Sequence, residues 1–134
     1  MKLSTYLNFH GDCEAALNFY SACGLGEVTN VMRFANSPMA EQAGPARAQQ
    51  IMHATLVGPD VHLHGSDTLD AEPMKGCALI LEGGDVDAAG ALFKALSAGG
   101  ATTQPLEKMF WGDFFGSFTD RFGVRWLMNC HPES

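Results

Sequence analysis

Hydrophobic and polar positions in this chain alternate at helical spacing in two segments of the same design. The first runs from Asp12, a candidate helix cap, to Gly24, a candidate stop, and the second from Asp85 to Gly99. Each pattern predicts an amphipathic helix with one apolar stripe. The two stripes are Ala16, Phe19, Tyr20 and Cys23, and Val86, Ala89, Leu92, Phe93 and Leu96.

The segments around these helices also repeat. An offset of 73 residues places Gly11 and Asp12 on Gly84 and Asp85, which indicates an internal repeat. One strand is predicted before each helix and three after it, in the order βαβββ. The predicted strands are 3–10, 27–34, 49–57 and 61–65 in the first half, and 77–82, 102–108, 113–119 and 124–130 in the second. Turns are predicted at 58–60 and 120–123.

The pattern predicts one domain over residues 1–134, with a first module at 1–68 and a second at 76–131. Residues 35–48 lack periodicity, so we expect an irregular insertion that is either mobile or a lid. The polar segment 67–76 is the best candidate for the linker. The fold class is α+β.

Composition limits the partners. Of the 134 residues 46% are hydrophobic, and eight Lys and Arg against fifteen Asp and Glu give a net charge of −7. This charge repels nucleic acid and anionic membrane surfaces, and we expect neither as a partner. No signal-peptide core or membrane span is predicted, and four scattered cysteines fit buried, reduced thiols in the cytoplasm. These are Cys13, Cys23, Cys77 and Cys130.

Three histidines, His53, His62 and His64, fall on two neighbouring predicted strands. His62 and His64 share a face because strand side chains alternate, and a two-residue turn places His53 on that face too. Three imidazoles could bind a metal or anchor an anionic substrate, or they could be structural or exposed. His53 and His64 are candidate substrate-binding residues, with His64 first.

The second half concentrates aromatic residues, which could line an apolar pocket or form the core. Asp113 lies among them, and a carboxylate in an apolar strand must be paired, exposed or functional. Asp67 could close a pocket rim or serve as a cap. The substrate-binding candidates here are Trp111, Asp113, Phe115 and Trp126, and the full aromatic set is Phe110, Trp111, Phe114, Phe115, Phe118, Phe122 and Trp126.

Three ordered motifs resemble the PhnB-like branch of the vicinal-oxygen-chelate superfamily, which includes glyoxalase I, dioxygenases and bleomycin-binding proteins. They begin at Tyr6-Leu7-Asn8-Phe9, Met52-His53-Ala54-Thr55 and Trp111-Gly112-Asp113. The resemblance implies two βαβββ modules that form an open, curved, eight-stranded sheet around a pocket. A methyltransferase of the usual kind would need a glycine-rich loop between strand and helix, whereas Gly24-Leu25-Gly26 follows a helix.

Enzymes of this superfamily hold a divalent metal at four strand positions. Matched motif by motif, these positions fall on Thr5, near Cys77, on Leu127, and near the end of the strand that holds His62 and His64. Only the last offers a ligand, so we expect no metal at the superfamily's site and no other cofactor.

The sequence therefore predicts a homodimer that binds a small, partly apolar molecule in the sheet pocket, as an enzyme of unassigned reaction or a sequestering protein. One alternative is a metal-dependent lyase, isomerase or dioxygenase of the glyoxalase type, using His53, His62 or His64 with Asp67 or Asp113 as ligands. The other is an antibiotic-sequestering or structural dimer with a vestigial pocket.

Overall fold

The computed structural model describes residues 1–132, and the chain divides into two compact units, Met1–Pro73 and Met74–Ser134. The first unit contains β1 (Thr5–Phe9), α1 (Cys13–Ala22), β2 (Glu27–Arg33), a 3₁₀ turn (Phe34–Asn36), α2 (Ala40–Ala43), a second 3₁₀ turn (Pro45–Arg47), β3 (Ile51–Gly58) and β4 (Val61–Asp67). The second contains β5 (Leu79–Glu82), α3 (Val86–Ser97), β6 (Ala101–Lys108), β7 (Phe114–Thr119) and β8 (Arg125–Cys130).

Each unit holds one four-stranded mixed sheet. The strand order is β1-β4-β3-β2 in the first unit and β5-β8-β7-β6 in the second. The strand before the helix pairs in parallel with the last strand, and the other neighbours are antiparallel. The predicted α+β class and the twice-repeated βαβββ order are confirmed.

Strand alternation gives each sheet a face that is covered by its own helix. In the first unit Leu7 and Phe9 are buried, as are Ala16 and Leu17 on α1. Gly65 marks the closest approach, since a Cβ there would lie 2.9 Å from the Cys13 sulfur. We call the other side of each sheet, away from its helix, the open face.

Helices α1 and α3 begin differently, although the sequence predicts an aspartate cap for both. The Asp85 carboxylate accepts a hydrogen bond from the Ala88 amide at 3.0 Å, as expected of a cap. Asp12 makes no side-chain cap hydrogen bond. The first amide of α1, that of Cys13, instead donates to Asp67 at the distant end of β4.

The insertion at 35–48 is not structureless, which corrects the expectation from its composition. It folds into short helical turns that Arg47 joins to the end of β4. The Arg47 guanidinium donates to the Asp67 carbonyl at 2.9 Å and to Gln50 Oε1 at 2.6 Å, and it lies 5.6 Å from the centre of the buried Phe34 ring. The missing periodicity reflects turns too short to show one.

No helix within residues 1–132 combines the length and the hydropathy that a membrane crossing requires.

Candidate functional site

The open face of the first unit carries a group of aromatic and imidazole side chains. Gly58 pairs with Val61, so the β3–β4 hairpin has the two-residue turn that the sequence analysis considered. In this register His64 lies opposite Thr55, and Tyr6 on β1 lies beside His64. His53, His62 and His64 therefore share one face, as the alternation predicts.

The four rings are close together. The His64 ring centre lies 5.4 Å from that of His53, 4.8 Å from that of His62 and 6.0 Å from that of Tyr6, which stacks on it. Tyr6 is also 5.9 Å from His53. We call these four residues the histidine cluster. His64 is its centre, since it contacts each of the other three rings.

The histidines of the cluster differ in their exposure to solvent. His62 is exposed, whereas His53 and His64 are half-buried. Burial, and then the neighbouring His64, lower the pKa of His53, which favours the neutral imidazole. Among the described residues, His64 Nδ1 is a buried side-chain atom for which no hydrogen-bond partner is found. A neutral imidazole beside an unsatisfied ring nitrogen can donate to or accept from a polar group of a ligand.

Asp67 does not belong to this site, and its contacts are those of a cap, the other role that its sequence position suggests. Its side chain is only 1% exposed. One carboxylate oxygen accepts from the amides of Gly11 and Cys13 and the other from the amide of Ile51, each at 2.9 Å. The carboxylate joins the starts of α1 and β3 to the end of β4, and both of its oxygens accept from backbone amides.

In the second unit Asp113 lies just before β7 and is paired. It accepts a hydrogen bond from Asn129 Nδ2 at 3.0 Å and contacts the exposed ring of His131. Asn129 and then His131 hold the pKa of Asp113 below its usual value. Phe115 is opposite Asn129 in the β7–β8 register, so these side chains share the open face of this unit.

Trp111 lies in the connection before β7 and is 51% exposed, with its ring centre 6.2 Å from that of Phe115. Trp126, by contrast, is in the core on the helix side, only 2% exposed. Its indole nitrogen donates to Asp120 Oδ2 at 2.9 Å, and its ring stacks on Phe118. The structure thus brings Trp111, Asp113 and Phe115 together and separates Trp126 from them, because Trp126 has the opposite strand parity.

Tyr6 and the two partners of Asp113 are site residues that the linear pattern did not predict. Tyr6 could have been found by pairing β1 with β4 in parallel, which places it next to His64. Asn129 and His131 could have been found by extending the alternation of β8. Both steps need a sheet register, which the linear pattern does not contain.

The four positions at which the resemblance implies metal ligands can now be compared with the structure. Thr5 is two residues before buried Leu7, so it shares the helix side of β1 with Leu7, and Cys77 precedes β5. Leu127 is on β8 but has no donor atom, and the fourth position, near the end of β4, is the one that offers a ligand, His64. Within residues 1–132 there is no group of three His, Cys, Asp or Glu arranged to hold a metal ion. Because Leu127 has no donor atom and Thr5 is on the helix side of its strand, the residues present do not supply the four ligands of the superfamily's divalent metal.

Comparisons with known proteins agree with the topology. A solved structure of protein PA1353 from Pseudomonas aeruginosa is 36% identical, has a TM-score of 0.86 and is matched over 99% of both chains. Protein YjdN of Escherichia coli K12 is 28% identical over 96% of this chain and 95% of its own length.

A third relative shows the fold alone. This Bacillus cereus structure, described as a putative 3-demethylubiquinone-9 3-methyltransferase, PhnB protein, is 23% identical with a TM-score of 0.80. The match covers 97% of this chain and 99% of that one.

The family model of the Glyoxalase/Bleomycin resistance protein/Dioxygenase superfamily matches the sequence over residues 2–128, nearly the whole of both βαβββ units. The chain belongs to this superfamily.

Proposed function

We propose that the protein binds a small, partly apolar molecule on the open face of its first unit, with His64 and His53 as the polar contacts. The observation that carries this proposal is the histidine cluster, in which three rings lie around His64, whose Nδ1 is buried and unpartnered. The binding uses no divalent metal at the superfamily's positions, and the reaction, if there is one, is unassigned.

His64 Nδ1 is the atom that a ligand would contact first. A buried polar atom without a partner costs about 1–3 kcal/mol, and a ligand that hydrogen bonds to it regains part of that free energy. The ring centres of Tyr6 and His53 lie 5.9 Å from each other and within 6.0 Å of that of His64, so the two rings offer aromatic surface to an apolar group next to His64. A ligand with one polar group and one planar or aliphatic part matches these contacts.

In the second unit Trp111, Asp113 and Phe115 remain predicted ligand contacts. Trp111 and Phe115 are close enough to hold an apolar group between them, and Asp113 is fixed in place by Asn129. Trp126 is not included, because its ring is buried and its nitrogen is used by Asp120.

A ligand screen tests the proposal. We expect one or more members of a library of small, partly apolar metabolites to raise the melting temperature and to shift the imidazole NMR signals of His64 and His53. The His64→Ala variant should lose both effects. His10→Ala is the matched control, because His10 is an exposed histidine just after β1 and is outside the cluster.

Two outcomes would contradict the proposal. One is a melting temperature that no compound in the library changes. The other is a ligand whose effect is as strong in His64→Ala as in the wild-type protein, which would place binding elsewhere.

The predicted homodimer belongs to this proposal as well. Strand β2 is an edge strand of the first sheet, and its Val31 and Met32 side chains are 48% and 43% exposed. A second copy of the chain could cover this apolar edge in a dimer.

A further inference from the structure

The second unit contains a cleft that the histidine cluster does not involve. Its volume is about 480 Å³, and it lies between the segment that leads into β5 and the β7–β8 hairpin. Lys75 and Arg125 are its charged lining residues, Met74 and Leu127 contribute apolar surface, and the thiol of Cys77 borders it. The volume is in the range of small-molecule sites.

The charge of the lining is opposite to that of the protein. The chain carries a net charge of −7 with only eight Lys and Arg, yet two of these cations line one cleft that no Asp or Glu lines. Within residues 1–132 neither Lys75 nor Arg125 forms an ion pair with a carboxylate, unlike Arg33, which is bound to Glu14. Two unpaired cations beside apolar surface form a local positive field that favours an anion.

We propose that this cleft binds a small organic oxyanion, a carboxylate or phosphate ester attached to an apolar group. The Arg125 guanidinium pairs with two oxygens of the anion, since its planar fork matches both carboxylate and phosphate. Lys75 adds a second charge, and Leu127 and Met74 contact the apolar part. This site does not depend on the proposed function of the histidine cluster.

Cys77 provides a reporter at the site. It is the exposed cysteine of the four, whereas Cys13 and Cys130 are buried and Cys23 is half-buried. Burial is the main cause that raises the pKa of Cys13, to about 12, and burial also raises the pKa of Cys130, so these thiols react slowly. A molecule held by Arg125 should shield Cys77 from alkylation.

The experiment measures the rate of Cys77 alkylation by iodoacetamide, a neutral reagent, using peptide mass spectrometry. Phenylacetate and phenyl phosphate are the probes, and phenylacetamide is the neutral analogue of the first. We expect one or both anions at saturation to slow alkylation roughly fivefold or more, and phenylacetamide to have little effect. Which anion protects identifies the preferred oxyanion.

Charge variants localise the effect. In Arg125→Gln the anion concentration needed for half protection should rise roughly tenfold or more, because a charge-assisted pair is lost. Lys75→Gln should raise it less. Lys108→Gln is the matched control, since it removes the same charge from exposed strand β6 outside the cleft.

The proposal is overturned if phenylacetamide protects as well as phenylacetate, if no anion protects, or if Arg125→Gln is protected like the wild type. Arg125 is exposed, and an unchanged melting temperature of its variants would show that the fold is intact. His64→Ala should keep full protection of Cys77. The failure of this proposal is therefore separate from the failure of the histidine-cluster proposal.

Discussion

Two buried aspartates show how a single carboxylate can organise a unit of this protein. Asp67 accepts three backbone amides, and Asp120 accepts the amides of Phe122 and Val124 together with the Trp126 indole. Each residue is less than 4% exposed. In a sequence, acidic residues near histidines and aromatic residues are candidates for catalysis or binding. Here their contacts stabilise turns and the ends of helices and strands.

Asp67→Asn should destabilise the protein by about 2–4 kcal/mol. The substitution replaces one carboxylate oxygen with an NH₂ group, which cannot accept a hydrogen bond, so at least one buried backbone N–H loses its acceptor. Urea unfolding followed by circular dichroism measures the loss. The matched control is Asp60→Asn at the exposed hairpin turn, which should change the free energy of unfolding by less than about 0.5 kcal/mol. Equal effects of the two variants would contradict the assignment of Asp67 as a structural clamp.

At the scale of elements, each helix approaches its sheet over a glycine. A Cβ at Gly116 on β7 would lie 2.6 Å from the Phe93 ring of α3 and 2.9 Å from the Cα of Leu106 on β6. The Phe93 ring meets Phe118 edge to face, 4.9 Å between centres, directly beside this glycine. The short contact to backbone means that a side chain at 116 must displace a strand as well as a ring.

Gly116→Ala should therefore cost about 1–3 kcal/mol through overpacking. Gly90→Ala in α3 is the contrasting variant, because a Cβ at Gly90 meets nothing within 4 Å and alanine favours the helix by about 0.5–1 kcal/mol. Thermal unfolding of the pair should show opposite shifts in melting temperature. A stable Gly116→Ala would mean that α3 can move away from its sheet at little cost.

At the scale of the whole molecule, the two units repeat a topology without repeating its chemistry. His64 is opposite Thr55 in the first hairpin, and the corresponding pair in the second is Leu127 opposite Ser117. Tyr6 pairs with His64 and Ile80 pairs with Leu127, so Tyr6 and Ile80 are corresponding residues. They are 74 residues apart in the sequence, whereas the starts of the two helices are 73 residues apart. The duplicated sheets thus offer imidazoles on one open face, whereas the other carries apolar, cationic and amide groups, among them Leu127, Arg125 and Asn129.

This divergence leads to an expected metal content. Protein purified without a histidine tag should contain zinc, nickel, iron and manganese far below stoichiometric amounts, because Leu127 cannot coordinate and Thr5 is on the helix side of its strand. Elemental analysis by mass spectrometry provides the measurement. Near-stoichiometric metal that disappears in His64→Ala would instead favour the metalloenzyme alternative, with the cluster histidines as ligands.

Much of the fold could be predicted because its signals are local. The stripes of α1 and α3, the Gly-rich stops and the turn residues at 58–60 and 120–123 each act over a few neighbouring residues, and their repetition revealed the βαβββ order. Errors occurred where a partner is far away in sequence. Asp12 is a residue type that commonly caps helices, but the distant Asp67 accepts the first amide of α1 instead. The turns of the 35–48 insertion depend on Arg47, which donates to the end of β4.

The sequence by itself determined the two helices, the eight strands, the negative charge and the shared face of His53, His62 and His64, because periodicity and composition suffice for these. Only the tertiary structure decided which polar residues are free to bind. Parallel pairing of β1 with β4 brought Tyr6 to His64, strand parity buried Trp126, and packing used both oxygens of Asp67. Such outcomes depend on contacts between residues far apart in the chain, which no local pattern specifies.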